Sequence, residues 1–133
     1  MIHLLDTNAC VRYLNGRAVS VRQRLAATPP GTVAVCSVVK AEMYAGAMKS
    51  NHPARTRVAQ EEFLSQFTSL PFDDAAASIY AAVRAHLEAA GTPIGPYDLQ
   101  IAAIALANNL ILVTHNTREF SRVPGLALED WEA

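Results

Sequence analysis

Apolar positions along this chain fall into two kinds of run, short unbroken ones and longer ones with helical spacing. Residues 2 to 5 (IHLL) form a first unbroken run, which reads as a short buried strand ending at Asp6. TNACVRYLNG then reads as a helix stopped at Gly16, and SVRQRLAAT as a second short helix closed by Pro29, Pro30 and Gly31. TVAVC (32 to 36) is a β-branched strand, and Ser37 is the expected N-cap of the helix VVKAEMYAGAMK. Pro53 opens a helix expected to run to about Ser69, with Ala59, Phe63, Phe67 and Leu70 on one stripe. LPF (70 to 72) follows as an edge strand, and Asp73 caps a helix carrying Ile79, Val83, His86, Leu87 and Ala90 on one face. After Gly91 the loop TPIGP leads into a helix that is apolar nearly all round from Leu99 to Ala107. LILVT (110 to 114) is the clearest strand, followed by a helical turn TREFSRV and a last strand near Leu126 to Leu128.

Strands alternating with helices predict parallel pairing and right-handed crossovers. The expected architecture is a doubly wound α/β/α sandwich around a central parallel sheet. With 133 residues and no repeats or linkers, the chain is expected to form one domain, residues 1–133.

Three carboxylates interrupt the apolar pattern. Asp6 ends the first strand, Glu42 shares a helical face with Val38, Val39, Ala45 and Gly46, and Asp98 shares one with Ile101, Ala102 and Ala105. Sites in open α/β sheets form beyond the carboxyl ends of the strands, where the topology brings these acids together. A buried, unpaired carboxylate costs several kcal/mol, so such acids need a shared partner. A divalent cation is the economical one, and oxygen-only ligands favour Mg²⁺ or Mn²⁺ over Zn²⁺. Taken singly, each acid has another reading: Asp6 as a helix cap, Asp98 as a first-turn acid favoured by the helix dipole, Glu42 as the partner of Lys49 or Arg12.

Charge adds a second clue. The net charge is −1, but residues 1 to 60 carry eight Lys/Arg against two acids (+6), and the remainder three against ten (−7). A basic half suits a polyanion or an acidic partner surface, and equally suits solvated helix faces. Arg12, Arg17, Arg22, Arg24 and Lys40 are the candidate phosphate contacts, which give affinity and salt dependence rather than sequence choice. Aromatic interleaving is thin, with Tyr13 and Tyr44 the nearest candidates, so a structured nucleic acid fits better than long single strands. Cys10 and Cys36 lack metal-type spacing and read as buried free thiols. No apolar run spans a bilayer and MIHLLD lacks a signal-peptide pattern, so the expected location is the cytoplasm.

LLDTN, SVVKAEMYAGAMKS, GTPIGPYDLQIAAIAL and LVTHNTREFSRVPGLALEDW, in this order and spacing, resemble the VapC-type toxins of the PIN-domain family. The resemblance covers essentially the whole chain. It implies a doubly wound parallel sheet and a Mg²⁺- or Mn²⁺-dependent endoribonuclease, usually a homodimer, silenced by a cognate VapB-type antitoxin whose tail enters the acidic cleft. Carried over by position, it makes Asp6, Glu42 and Asp98 catalytic metal ligands. Where many relatives have an Asp after the last long strand this chain has Asn116, and Glu119 takes the place of the fourth acid. Thr7, Ser37, Thr114 and Asn116 are supporting candidates. The implied reaction is in-line hydrolysis leaving 5′-phosphate and 3′-hydroxyl ends, with transfer RNA the expected substrate and ribosomal RNA its competitor.

Rival readings lose on particular residues. A receiver domain would place a Lys after the late strand, where this chain has THNTRE. A phosphohydrolase of the haloacid dehalogenase type would have D-x-D after the first strand, where this chain has Asp6-Thr7-Asn8. A metal-free binding module keeping the fold without catalysis is the remaining alternative, with Asn116 in its favour.

Overall fold

A computed structural model of the chain describes residues 1–132. Five strands, β1 (His3–Leu5), β2 (Val33–Cys36), β3 (Thr68–Leu70), β4 (Ile111–Val113) and β5 (Leu128–Glu129), form one sheet. Its order is β3-β2-β1-β4-β5 and every pairing is parallel. The central strands are enclosed on both faces, which is why VAVC and ILV read as unbroken apolar runs rather than alternating ones. Polar Thr68 and Ser69 sit on the exposed edge strand β3.

Between the strands run α1 (Thr7–Asn15), α2 (Val19–Ala26), α3 (Ser37–Met48), α4 (Pro53–Leu64), α5 (Asp74–Ala89), α6 (Pro96–Ala107) and α7 (Thr117–Phe120). The chain winds outward from β1 through β2 to β3, then returns to β4 beside β1 and winds the other way. Right-handed crossovers therefore send α1 to α4 to one face and α5 and α6 to the other. The order reverses between β1 and β4, and a crevice opens there beyond their carboxyl ends. No helix among the described residues is long and apolar enough to cross a membrane.

Several local expectations are corrected. Cys36, in extended conformation (φ −134°, ψ 164°), is the N-cap of α3, and Ser37 is already helical, so its hydroxyl caps nothing. β2 passes into α3 without a loop residue, which moves the cap one position earlier. α4 ends at Leu64 rather than near Ser69, because the chain leaves the helix to pair Thr68–Leu70 with Ala34–Cys36. Phe67 is buried from the connecting turn instead of from a helix. The edge strand thus lies two residues before LPF, and β5 lies after Leu126, where Leu128 and Glu129 pair with Leu112 and Val113. His86 is exposed, while Ala76 and Leu87 are the buried side of α5. Asp73 does cap α5, its carboxylate accepting from the Ala76 amide at 2.9 Å.

α6 is apolar around its circumference because it is enclosed, with Leu99 and Ile101 to Ala105 all buried between α5 and the sheet. Gly95 and Pro96 start it, and Asn109, at φ 54°, turns the chain from its end into β4.

Candidate active site

Each acid is mounted on a different element at the crevice. Asp6 follows β1 directly, and its amide continues the ladder by donating to the Val113 carbonyl at 3.1 Å. Its side chain is 3 % exposed and caps α1, with Oδ1 accepting from the Ala9 amide at 2.8 Å. Burial pushes this carboxyl up to about 6, and the Asp98 and Glu132 charges push the same way. Hydrogen bonds from the Thr114 hydroxyl and the Ala9 amide oppose the rise. Asp6 is therefore a helix cap and also a strained carboxylate, and the first role does not account for the second.

Glu42 projects from α3 and accepts the Thr7 hydroxyl at 2.7 Å. Neither basic residue suggested as its partner reaches it: Arg12 is bonded to Glu132 at 2.6 Å, and Lys49 makes no ion pair among the described residues. Asp98 stands in the first turn of α6 without capping it, since Gly95 is the cap and no side chain bonds there. Partial burial raises its carboxyl, followed by the charges of Glu119 and Glu42. Asp98 is thus the meeting point of the acids. Glu119, on α7, accepts from the Asn116 side-chain amide at 3.0 Å, and the Asn116 backbone amide donates to the Thr114 hydroxyl at 3.0 Å.

None of Asp6, Glu42, Asp98 and Glu119 is ion-paired among the described residues. Four acids, of which Asp6 and Asp98 are raised by burial and by neighbouring carboxylates, have no base to offset them and form a donor set suited to a hard divalent cation. They are not collapsed together: no three of them bring ligand atoms within 4.8 Å of one another among the described residues, as mutual repulsion dictates.

A cluster that does meet this spacing lies alongside, formed by His115, Asp130 and Glu132. His115 Nδ1 is 3.0 Å from Asp130 Oδ2, and Glu132 holds the Arg12 guanidinium. This cluster already has a cationic partner in Arg12. Sequence reasoning missed Asp130, Trp131 and Glu132 altogether. Their signal was faint, a buried Trp (2 % exposed) inside an acidic terminal run.

The basic candidates separate. Arg22 donates to the Tyr13 carbonyl at 2.9 Å and lies over its ring. Arg24 reaches Glu129 at 3.3 Å and covers Trp131. Arg17 has no side-chain hydrogen bond or ion pair among the described residues, and neither has Lys40, on α3. Ser37 and Glu42 line a mostly apolar cleft of about 490 Å³ with Tyr97 and Gln100. Its apolar walls suit a partner surface better than the acid chemistry, which sits at its edge.

The chain is thus a doubly wound parallel α/β protein with unpaired acids at its switch point, an architecture that several families share, and comparison with known proteins gives the family. The PIN-domain family model matches residues 3–126, and the chain belongs to that family. Within it the chain falls among the VapC-type proteins. It is 42 % identical over 128 residues to the tRNA(fMet)-specific endonuclease VapC of Shigella flexneri, covering 96 % of each chain. It is 38 % identical to ribonuclease VapC2 of Rickettsia felis, covering 99 % of each. The fold superposes on the structure of DNA-bound VapBC from Salmonella typhimurium with a TM-score of 0.93, at 37 % identity and 98 % coverage of each chain.

Proposed function

We propose that this chain is the toxin of a VapBC-type toxin–antitoxin pair, an endoribonuclease that hydrolyses a phosphodiester in transfer RNA and uses Mg²⁺ or Mn²⁺. The observation that carries the reading is the convergence of Asp6, Glu42, Asp98 and Glu119, without a basic partner, beyond the carboxyl ends of β1 and β4. Relatives named as tRNA(fMet)-specific endonucleases support transfer RNA as the substrate class, and relatives of this fold solved as VapBC complexes support a VapB-type antitoxin as partner.

A divalent cation held by these acids would polarise the scissile phosphate and lower the pKa of an attacking water. The chain's own residues fix the geometry. The Thr7 hydroxyl orients Glu42, the Ala9 amide and Thr114 hydroxyl orient Asp6, and the Asn116 amide orients Glu119. Asp98 needs no such partner, because the enclosed helix beneath it holds its backbone still. Water is the nucleophile and the 3′-oxygen leaves, so the products carry 5′-phosphate and 3′-hydroxyl ends.

The test is incubation of antitoxin-free protein with initiator and elongator transfer RNAs and ribosomal RNA, with Mn²⁺ or Mg²⁺, followed by mapping of 5′-phosphate ends. Cleavage confined to transfer RNA, abolished by EDTA and by Asp98→Asn, is the expected result. Wild-type protein that binds RNA but leaves it intact in both metals would make it a binding module instead.

A further inference from the structure

Beside the acids, α1 and the segment after β4 enclose an open cavity of about 470 Å³, walled by Asn8, Arg12, Asn15, Arg17, His115 and Asn116. Its chemistry is opposite to that of the acid centre, with cationic and amide donors where the centre offers carboxylates. Two features make it more than a basic surface. Gly16, at φ 67°, closes α1 so that the Arg17 amide donates to the Arg12 carbonyl at 3.3 Å, returning both arginines to one end of the helix. Glu132 accepts only the Arg12 Nε–H, leaving both terminal NH₂ groups of the guanidinium for another acceptor. Glu132 is itself fixed, its amide donating to Asp130 Oδ1 at 2.9 Å. Arg12 is thus preorganised and Arg17 uncommitted, whereas Arg22 and Arg24 are turned to Tyr13 and to Glu129 with Trp131.

We propose that this cavity is a subsite for the RNA phosphate next to the scissile one, with Arg12 and Arg17 as its donors and Glu132 as the residue that positions Arg12. The inference rests on the ribonuclease reading above. Asn116 belongs to both places, lining the cavity and bonding Glu119, so a strand whose scissile phosphate lies at the acids places a neighbouring phosphate at the arginines. A guanidinium fork matches a phosphate's paired oxygens, and a preset fork loses little freedom on binding. An acidic peptide is the competing occupant, and continuity with the acid centre favours RNA.

The experiment measures binding of an intact transfer RNA to the non-cleaving Asp98→Asn chain in Mg²⁺, by fluorescence anisotropy over a range of salt. Adding Arg17→Ala is expected to weaken binding several-fold and to lower the slope of log K against log salt by about 0.7–0.9, one phosphate contact. Thermal stability should be unchanged, since Arg17 is exposed. Adding Glu132→Ala instead separates positioning from simple charge, since it removes both the acid and the acceptor that holds Arg12. Removing an acid near a polyanion site would tighten RNA binding, whereas releasing Arg12 should weaken it. An unchanged slope with Arg17→Ala, or tighter binding with Glu132→Ala, overturns the proposal. An unchanged slope combined with lost affinity for the antitoxin assigns the cavity to an acidic peptide. Failure of the Asp98→Asn chain to bind RNA at all would instead remove the ribonuclease reading beneath it.

Discussion

Replacing Asp6 by Asn isolates the electrostatic cost of the acid centre. The substitution keeps the side-chain oxygen that accepts from Ala9, and Asn caps helices about as well as Asp, so α1 should be unaffected. What disappears is a buried charge. Burial moves the Asp6 carboxyl from 3.8 to about 6 in the folded chain. Between these values the folded state binds more protons than the unfolded one, so stability falls as the pH rises through the window. The penalty is absent below pH 3.8, is complete above about pH 6, and amounts to about 3 kcal/mol. Metal-free Asp6→Asn protein should therefore be more stable than wild type at pH 8 by up to that amount, and no more stable near pH 4. Urea unfolding in EDTA at pH 8, 6 and 4 measures the difference. A variant less stable than wild type at pH 8, or a difference independent of pH, would refute the argument that Asp6 is an uncompensated charge. With Mn²⁺ at a hundred times its dissociation constant, wild type should regain about 2.7 kcal/mol and the variant much less.

Asp98→Asn should lower RNA cleavage about 10²–10³-fold or more, from loss of several kcal/mol of transition-state charge stabilisation, while circular dichroism stays unchanged. Trp131→Ala should destabilise the fold by about 3–5 kcal/mol in urea titrations, because the ring is buried against His3 and its Nε1–H bonds Glu129 at 3.0 Å; a loss below about 1 kcal/mol would mean the terminal segment is not part of the core. Gly16→Ala should cost about 1 kcal/mol, since the new Cβ meets only the end of Arg22 at 3.8 Å and the penalty is that of a side chain at positive φ. Thermal melts of the pair check this value.

Legibility in the sequence followed how local each determinant was. β2 and β4 were plain because strands buried on both faces are apolar at every position, and Gly16 and Asp73 marked helix ends through their own backbone and side-chain chemistry. The stretch from Phe63 to Leu70 misled because its apolar residues keep a helical step across the point where the chain leaves α4. Burial of Phe67 and partial burial of Leu70 are satisfied by a turn and an edge strand just as well. At the site, Asp6, Glu42 and Asp98 were conspicuous as acids in apolar company, whereas Glu132 was not. It lies in a terminal acidic run that looks solvated, and its bond to Arg12 joins residues 120 positions apart. No spacing in the chain encodes that pairing.

The position of β1 between β2 and β4 sets when the site can exist during synthesis. Asp6 leaves the ribosome long before Val113, yet its amide is held by the Val113 carbonyl, and the chain must complete the whole outward and return winding first. Such a long-range closure comes late in folding. Glu42 and Asp98 wait for the same event, and Glu119 emerges after it. A chain interrupted anywhere before β4 therefore carries at most three of the four acids, without the geometry to use them. For a ribonuclease made in the presence of its own substrates, that topology would leave translation products truncated before β4 harmless and confine the hazard to chains that extend past it.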